Sequence, residues 1–500
     1  MVKKSKNPIT NIEYNIPNNL IDKNGINDFI SKNENKKILV VQGLGFVGSV
    51  MSIVCANSKY EDYAVIGVDL PNENNFWKIA SINEGVFPLV AEDKKIATFF
   101  EKTKKNKNFY ATYDPYAFSL ADIIIVDINL DVQKKLNDDF SLESFDVNMS
   151  SFESAIKTIG ENCKKNSLIL VETTVPPGTC EKVVKPIIIE ELKKRSLDTN
   201  LIKIAHSYER VMPGPNYIDS ILNFPRVFSG VDKKSTRAAE VFLKTIINTK
   251  DYPLTELKNT NSTEMAKVLE NSYRAMNIAF IVEWTRFAEE TGVNLYEVIN
   301  SIKMRPTHSN MMLPGIGVGG YCLTKDPLLA SWSRNKIFLS SKLNQSENAV
   351  IVNDQMPRYA FEFFKKNYRK SLANRIVLFL GISYRGDVGD TRYTPVELMY
   401  NLFKKEGAKI LLHDPLVPFW DEKDLKIETS LKKSLKQEFD IIVLCTNHSI
   451  YESDILVKEL NEMDKRIYIF DTLGALKKNQ LDGFNKKIKT LILGRGDLVE

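Results

Sequence analysis

The chain has 500 residues, with 43% hydrophobic and 26% charged side chains, a globular composition that predicts about two to four domains and excludes a disordered tail protein. Its formal net charge of +5 is too small to indicate a nucleic-acid binder, and no apolar run approaches the ~18 residues that a membrane span needs. Five scattered cysteines and four scattered histidines form neither a disulfide framework nor a metal-binding pattern, so the composition predicts a cytoplasmic protein without a metal site.

The first predicted elements alternate between strand and helix. Residues 1–35 are rich in Asn, Lys and Ile without clear periodicity and lack the apolar stretch of a secretory signal, so they are expected to form an N-terminal extension. An apolar run at 37–42 predicts a buried strand, which leads into a glycine-rich turn and a helical stretch. Further strands are predicted at 63–69, 122–128, 167–171 and 202–205. This alternation predicts a doubly wound parallel sheet.

A long helix and a second α/β region follow. Residues 260–290 contain neither Pro nor Gly, and their apolar residues recur at steps of three and four, which predicts one long helix. Further strands are predicted at 376–380, 408–413, 440–445, 466–470 and 489–493. The predicted fold class is α/β, with two Rossmann-like doubly wound domains joined by a long central helix and a helical middle domain.

The turn after the first strand carries a dinucleotide-binding pattern. Gly43, Gly45 and Gly48 allow a tight turn whose backbone amides approach a pyrophosphate at a helix N-terminus. Asp69 ends the next strand, where an acid binds the adenosine ribose hydroxyls and repels a 2′-phosphate. Since no Arg follows closely, the pattern predicts NAD rather than NADP. The structural alternative is a glycine turn followed by a solvated Asp.

Polar side chains follow two of the predicted strands, and another pair lies on the long helix. Thr174 belongs to a proline-fixed turn beyond one strand, and Glu209 comes just after another, at the sheet edge where ligands bind. Lys267 and Asn271 are four residues apart and share a helix face. Each has an ordinary structural interpretation, as a turn residue or a solvated charge.

A single cysteine follows a glycine-rich loop. Four glycines between 315 and 320 precede Cys322, so the backbone can approach a ligand closely, which favours a nucleophilic thiol over a small core residue. Asp326 lies four residues beyond and would share a helix face with Cys322 if a helix starts there.

Taken together, these motifs resemble those of the nucleotide-sugar 6-dehydrogenases, the UDP-glucose/GDP-mannose dehydrogenase family, from about residue 37 to the C-terminus. The matching segments are the Cys loop at 317–326, the Thr-Val-Pro-Pro-Gly turn at 174–178, the Lys267/Asn271 pair, the segment 381–395 and the closing Gly494-Arg495-Gly496. The chain departs from the family where many members have Val-Pro-Thr-Pro, since it has Val126-Asp127-Ile128-Asn129 there.

The resemblance implies a four-electron oxidation of a sugar C6 alcohol to a carboxylate with two NAD. Lys267 and Asp326 would supply the base and position a water. Cys322 would trap the aldehyde as a thiohemiacetal, and a second oxidation would give a thioester that Glu209 or Asp326 helps water to hydrolyse. Asn271 and Thr174 would bind the oxyanion and orient that water.

The sequence and the resemblance together imply a division of the chain into regions, of which the first has no counterpart in the family. The expected regions are an N-terminal extension at 1–35, a NAD-binding domain at 36–235, a central dimerisation domain with the Cys loop at 236–360 and a UDP-sugar-binding domain at 361–500. The implied cofactor-binding residues are Gly43, Gly45, Phe46, Val47, Gly48, Asp69, Thr174 and Arg392. The implied substrate-binding residues are Glu209, Arg210, Val211, Lys267, Asn271, Arg305, Gly319, Tyr384 and Arg385.

The form of two motifs suggests a branch of the family. Glu209-Arg210-Val211-Met212-Pro213-Gly214 and the Val-Gly-Gly form of the Cys loop resemble the UDP-N-acetyl-hexosamine branch more than the UDP-glucose or GDP-mannose branches. Arg305 resembles the arginine that reaches a partner subunit's substrate, which implies a homodimer or higher homo-oligomer. Two alternatives are a two-electron hydroxyacid or 6-phosphogluconate-like dehydrogenase, which would not need Cys322, and a non-catalytic nucleotide-sugar or NAD sensor.

Overall fold

The N-terminal residues fold against the first α/β region. The computed structural model describes residues 3–89, 93–137, 141–211 and 214–499, so Met212 and Pro213 of the branch motif lie outside the described residues. Strands β1 (Lys4–Lys6) and β2 (Glu13–Asn15) form an antiparallel hairpin, and helix α1 (Lys23–Ser31) follows. The side chain of Asn7 donates to Ser81 Oγ at 3.0 Å, and the hydroxyl of Tyr14 donates to Glu84 at 3.0 Å. The N-terminal residues are therefore held against this region by polar contacts, of which the one from Asn7 is buried.

The next part of the chain builds the larger sheet. Its elements are β3 (Lys37–Gln42), α2 (Phe46–Ala56), β4 (Tyr63–Val68), α3 (Phe76–Asn83), α4 (Lys94–Asn106), β5 (Phe109–Thr112), β6 (Ile123–Val126), β7 (Val132–Leu136), β8 (Leu142–Val147), α5 (Ser150–Asn162), β9 (Leu168–Val171), α6 (Lys185–Lys194), β10 (Lys203–His206), α7 (Tyr217–Leu222), β11 (Arg226–Gly230), α8 (Lys233–Ile246) and β12 (Leu254–Glu256).

Eight of these strands form one sheet in the order β12-β11-β10-β9-β6-β3-β4-β5. All described pairings in it are parallel except that of β10 with β11. The central strands are continuous apolar runs because both of their faces are buried. The strand order reverses at β3, which lies between β4 and β6. Ligands bind beyond the carboxyl ends of the strands at such a reversal.

Four helices follow the sheet. They are α9 (Thr260–Glu290), α10 (Leu295–Lys303), α11 (Asp326–Trp332) and α12 (Asn344–Tyr368). Helix α9 confirms the long helix predicted at 260–290.

The C-terminal region contains a second parallel sheet. Its elements are β13 (Ile376–Leu380), α13 (Val396–Lys405), β14 (Lys409–His413), β15 (Phe419–Trp420), β16 (Leu425–Lys426), α14 (Leu431–Leu435), β17 (Ile441–Leu444), α15 (Ile455–Asn461), β18 (Ile467–Asp471), α16 (Lys478–Gly483) and β19 (Ile488–Ile492). The sheet order is β14-β13-β17-β18-β19, and each pairing is parallel.

Alternate residues of this second sheet enter two different cores. Val377 and Phe379 of β13 pack with side chains of α12 and α13, whereas Leu378 and Leu380 pack with side chains of α14 and α15. Helices therefore cover both faces of the sheet. The predicted fold class, α/β with two Rossmann-like doubly wound domains and helices between them, is confirmed.

The chain divides into two compact units, neither of which is a continuous stretch. The first comprises Met1–Gln133, Val147–Val268 and Trp332–Ser341, and the second Lys134–Asp146, Leu269–Ser331 and Lys342–Glu500. The chain thus passes between the units after residues 133, 146, 268, 331 and 341. The functional domain bounds expected from the sequence stay a prediction.

Among the described residues, no helix is both long and apolar enough to cross a bilayer.

Candidate active site

The glycine turn after β3 borders a cavity of about 600 Å³ in the first unit, which Gly43, Gly45 and Asp69 help to line. Gly43 has a φ of +100°, and a Cβ on Gly48 would lie 1.9 Å from the Gly43 carbonyl oxygen, so the turn requires glycine at both positions. Gly45 directly precedes α2, and a Cβ there would meet open space. A tight turn, a helix N-terminus and adjacent room fit a pyrophosphate.

Asp69 is held at the rim of this cavity by backbone groups. Its Oδ2 accepts the N–H of Leu44 at 3.0 Å, and its Oδ1 accepts the N–H of Leu70 at 2.7 Å. These bonds fix the carboxylate beside the glycine turn, where it can accept ribose hydroxyls. Lys78 Nζ lies 3.3 Å from Oδ2 and also lines the cavity. Nothing in the sequence pattern indicates a role for Lys78, because a helical lysine is usually solvated.

The turn that contains Thr174 is fastened to the first turns of α9. Thr174 is partly exposed beyond the end of β9. Glu264 of α9 accepts the backbone N–H of Gly178 at 2.6 Å and that of Cys180 at 2.8 Å. Burial raises the pKa of Glu264 to about 7, although these bonds oppose the rise. The turn is therefore held rigidly at the carboxyl edge of the sheet.

Lys267 and Glu209 lie together in the first unit. Lys267 is buried, and its Nζ donates to the Glu209 carbonyl oxygen at 2.9 Å and lies 3.9 Å from the carboxylate Oε1. The buried ring of Tyr208 lies beneath the ammonium group, 5.4 Å from the ring centroid. The guanidinium of Arg210 lies 5.5 Å from the centroid of the same ring and donates to the Pro225 carbonyl. The N–H of Val211 donates to the Glu209 carboxylate. Desolvation beside a carboxylate suits a lysine that exchanges protons.

Asn271 and Asp326 lie together in the second unit. The amide of Asn271 donates to Asp326 Oδ2 at 2.6 Å, and Lys325 Nζ lies 3.1 Å from Oδ1. Asp326 is fully buried and begins α11, and its N–H donates to the Cys322 carbonyl at 2.9 Å. Cys322 thus precedes the helix instead of sharing a face with Asp326. The sequence pattern does not indicate the pairing of Lys325 with Asp326, because the side chains of adjacent residues usually point apart.

The glycines before Cys322 bring its loop against the segment 384–394. A Cβ on Gly319 would lie 2.6 Å from Tyr384 Cβ, and the Gly320 N–H donates to the Arg392 carbonyl at 3.0 Å. The exposed thiol of Cys322 interacts electrostatically with both Tyr384 and Arg392. Burial, with contributions from Asp390 and Cys322, raises the pKa of Tyr384. The glycine loop thus places the thiol near Tyr384 and Arg392.

Arg392 itself is held by a neighbouring acid. Its guanidinium binds both carboxylate oxygens of Asp390, with Nε donating at 3.0 Å and Nη2 at 2.6 Å. Predicted as a cofactor ligand, Arg392 belongs to the second unit together with Cys322.

The two remaining predicted arginines, Arg305 and Arg385, are exposed. Arg305 follows α10, and Arg385 follows β13 on the loop that carries Tyr384. Among the described residues, no group of three or more His, Cys, Asp or Glu side chains could hold a metal ion.

Comparison with known proteins accounts for most of the chain. Residues 36–247 match the NAD binding domain of the UDP-glucose/GDP-mannose dehydrogenase family, residues 261–355 its central domain and residues 378–478 its UDP binding domain. The UDP-N-acetyl-D-mannosamine dehydrogenase of Methanocaldococcus jannaschii is 30% identical over 95% of this chain and 99% of its own.

Solved structures agree with this match. That of UDP-D-ManNAc dehydrogenase from Pyrococcus horikoshii has 27% identity and a TM-score of 0.75 over 92% of this chain and 100% of its own. NDP-N-acetyl-D-galactosaminuronic acid dehydrogenase from Methanosarcina mazei has 25% identity and a TM-score of 0.73 over 95% and 98%. The chain belongs to the UDP-glucose/GDP-mannose dehydrogenase family, whose members are NAD-dependent nucleotide-sugar dehydrogenases.

Proposed function

We propose that this enzyme oxidises the C6 alcohol of a UDP-N-acetyl-hexosamine, with UDP-N-acetyl-D-mannosamine as the first candidate, to the uronate in two NAD-dependent steps. The observation that carries the proposal is the exposed thiol of Cys322, held by a glycine loop beside Arg392 and Tyr384. A two-electron dehydrogenase has no use for such a thiol. The names of the relatives support the choice of sugar.

The cofactor fits the cavity of the first unit. Gly43, Gly45 and Gly48 would receive the pyrophosphate, and Asp69 would accept the hydroxyls of the adenosine ribose. Bound NAD supplies a hydride acceptor for each of the two oxidations. The protein's contribution is to bind, orient and move protons.

Two sets of residues would handle the proton of the sugar alcohol. Lys267, desolvated beside Glu209, is the candidate base, and Asp326 would position the water through which the proton leaves. Both oxygens of Asp326 are engaged, by Asn271 and by Lys325, which fixes the orientation of the carboxylate. A carboxylate held in one orientation would keep the water in the position that proton transfer requires.

Cys322 would hold the sugar between the two oxidations. The thiolate adds to the C6 aldehyde and forms a C–S bond, while the carbonyl oxygen takes up a proton to give a thiohemiacetal. Oxidation of this adduct gives a thioester, and water attacks its carbonyl carbon with Glu209 or Asp326 accepting a proton. The C–S bond then breaks and regenerates the thiolate. Asn271 and Thr174 would stabilise the oxyanion.

The test of the reaction is the amount of NADH formed per sugar consumed. We expect two NADH per sugar with UDP-N-acetylmannosamine, and less activity with UDP-N-acetylglucosamine, UDP-N-acetylgalactosamine, UDP-glucose and GDP-mannose as separate substrates. One NADH with a released aldehyde or ketone would indicate the two-electron alternative. Binding of a nucleotide sugar without any NADH would indicate a sensor.

We further propose that two copies of the chain associate through α9. In the second unit this helix carries five large apolar side chains on one face, each between 46% and 61% exposed: Leu269, Tyr273, Phe280, Trp284 and Phe287. Their spacing keeps them on one stripe, and the last three rings contact in sequence. A two-fold axis would bring the stripe against its own copy and remove it from water.

Substitution of Trp284 with glutamate should separate the two copies. We expect light scattering to give the mass of a dimer for the wild type, and self-association about a hundredfold weaker or more for Trp284→Glu. Val241→Glu is the matched control, because Val241 is a similarly exposed apolar residue on α8, away from the stripe. A monomeric wild type, or an unchanged mass for Trp284→Glu, would contradict the proposed interface.

A further inference from the structure

Three acidic residues follow neighbouring strands at the carboxyl edge of the larger sheet. Asp127 follows β6, Glu172 follows the neighbouring parallel strand β9, and Glu209 comes after β10, the next strand along. Glu172 is fully buried and forms an ion pair with buried Arg226 of β11. Lys267 lies beside Glu209. The positive charge that acts on Asp127 is that of Arg226, which already pairs with Glu172.

Asp127 and Glu172 lie at adjacent positions where two acids could share a proton. They directly follow Val126 and Val171, which are register partners in the parallel pairing of β6 with β9, so their side chains start from neighbouring positions. Two ionised carboxylates at such positions have no donor to offer each other. Asp127 Oδ2 and Glu172 Oε2 are both buried, and neither receives a hydrogen bond from the described residues. Burial, followed by the charges of Glu172 and Glu209, raises the pKa of Asp127 well above its usual value. A proton on Asp127 would supply the missing donor.

Asp127 also lines the cavity that receives the dinucleotide. Strand β3 lies between β4 and β6, and Asp69, which would take the adenosine half, follows β4. A dinucleotide crosses such a reversal of strand order, so its other half extends towards β6. Asp127, directly after β6, therefore lies on the nicotinamide side of the turn. Its carbonyl oxygen would lie 2.5 Å from a Cβ on Gly43, which shows how closely the two segments approach.

From this arrangement we infer that Asp127 and Glu172 form a proton-sharing pair that couples protonation of the protein to the redox state of the bound dinucleotide. The inference rests on the proposed function, because it requires NAD in this cavity. The nicotinamide ring carries a positive charge when oxidised and none when reduced. A nearby positive charge stabilises the ionised form of an acid.

Asp127 therefore holds its proton more tightly when the reduced dinucleotide is bound than when the oxidised one is bound. When NAD⁺ replaces NADH, the O–H bond of Asp127 breaks, its proton goes to solvent and the carboxylate remains. No other bond changes. Because the NADH complex binds more protons, a rise in pH weakens NADH binding relative to NAD⁺ binding. The pair would thus assist the exchange of NADH for NAD⁺ while Cys322 holds the sugar.

The groups that face the pair from the packed elements define what else could titrate. They are Cys55 on α2, Glu172 after β9, Glu209 after β10 and Arg226 on β11. Burial raises the pKa of Cys55 well above its usual value, so this thiol stays neutral over the range to be tested.

The test is the pH dependence of dinucleotide binding by the full chain without sugar. We expect the ratio of the NADH dissociation constant to that of NAD⁺ to rise at least about threefold from about pH 6 to about pH 9, against a limit of about tenfold per pH unit for one proton. Asp127→Asn, which preserves shape but cannot ionise, should make the ratio independent of pH. Asp122→Asn should behave like the wild type, because Asp122 lies at the opposite end of the same strand in an exposed pair with Lys164.

A second measurement needs no variant. Titration calorimetry in two buffers with different ionisation enthalpies should show net proton uptake when NADH replaces NAD⁺ on the wild type. Equal pH dependence for the two dinucleotides, no proton uptake, or an unchanged ratio in Asp127→Asn would overturn the inference while leaving the proposed function intact. Failure of NADH to bind at any pH would overturn both.

Discussion

Replacement of Cys322 with alanine is expected to lower kcat for the complete oxidation by at least about a thousandfold. Without the thiol, the aldehyde formed in the first oxidation has no covalent anchor, and no thioester can form. We expect at most one NADH per sugar from Cys322→Ala in a single turnover, against two from the wild type. Mass spectrometry of the quenched wild type should detect the sugar nucleotide attached to Cys322.

The control for this experiment is another cysteine. Cys163 is fully buried in the first unit, and burial raises the pKa of its thiol to about 11, so it is unsuited to nucleophilic attack. Cys163→Ala should keep the stoichiometry of two NADH per sugar. If Cys322→Ala also forms two NADH per sugar, the covalent route is wrong.

Replacement of Arg226 with methionine is expected to reduce the free energy of unfolding of the first unit by about 3–5 kcal/mol. Arg226 and Glu172 are buried together, and Asp127 adds a second acid beside them. Without the guanidinium, Glu172 would be a buried charge with no cation, or it would have to take up a proton. Chemical denaturation monitored by circular dichroism would measure the loss.

The loss of unfolding free energy in Arg226→Met should increase with pH. Burial already raises the pKa of Glu172, and Arg226 opposes that rise, so its removal moves the folded-state pKa further above the unfolded value. A group of this kind favours the folded state at low pH, and that contribution is lost as the pH rises through the folded pKa. The deficit of Arg226→Met should therefore grow from about pH 5.5 to about pH 8.

The matched control is an exposed arginine. Arg237 pairs with Glu240 on the surface of α8, so Arg237→Met should change the free energy of unfolding by no more than about 0.5 kcal/mol at either pH. Equal stability of the two variants would show that the buried pair contributes little.

Much of the fold could be predicted because its central strands are continuous apolar runs. The predicted strands near 37–42, 63–69 and 376–380 correspond to β3, β4 and β13. Strand β11 was missed because it begins with Arg226 and pairs antiparallel with β10, so it lacks the continuous apolar pattern of the others. Its buried Arg226 is explained only by the tertiary structure, which pairs it with Glu172.

The candidate site could be predicted where spacing alone determines geometry. The three glycines and Asp69 are related by a local turn and one adjacent strand, so their grouping around a cavity follows from the sequence. Lys78 could not be found in this way, because only the tertiary structure brings it beside Asp69. Lys325 could not be found either, because the side chains of consecutive residues such as Lys325 and Asp326 usually point apart. Asp127 was visible as a departure from the family, but its proton-sharing partner lies on another strand.

The interleaved path of the chain limits how such enzymes can be recombined. The segment Trp332–Ser341 belongs to the first unit, where Ser333 donates to the Pro177 carbonyl at 2.6 Å beside the Thr174 turn. The segment Lys134–Asp146 belongs to the second, where Lys134 pairs with Asp354 at 2.7 Å. A chimaera of two relatives with one crossover would combine such a segment from one relative with the unit it packs in from the other relative. Exchange of cofactor or sugar specificity between relatives should therefore require each of these segments to be transferred together with the unit to which it belongs.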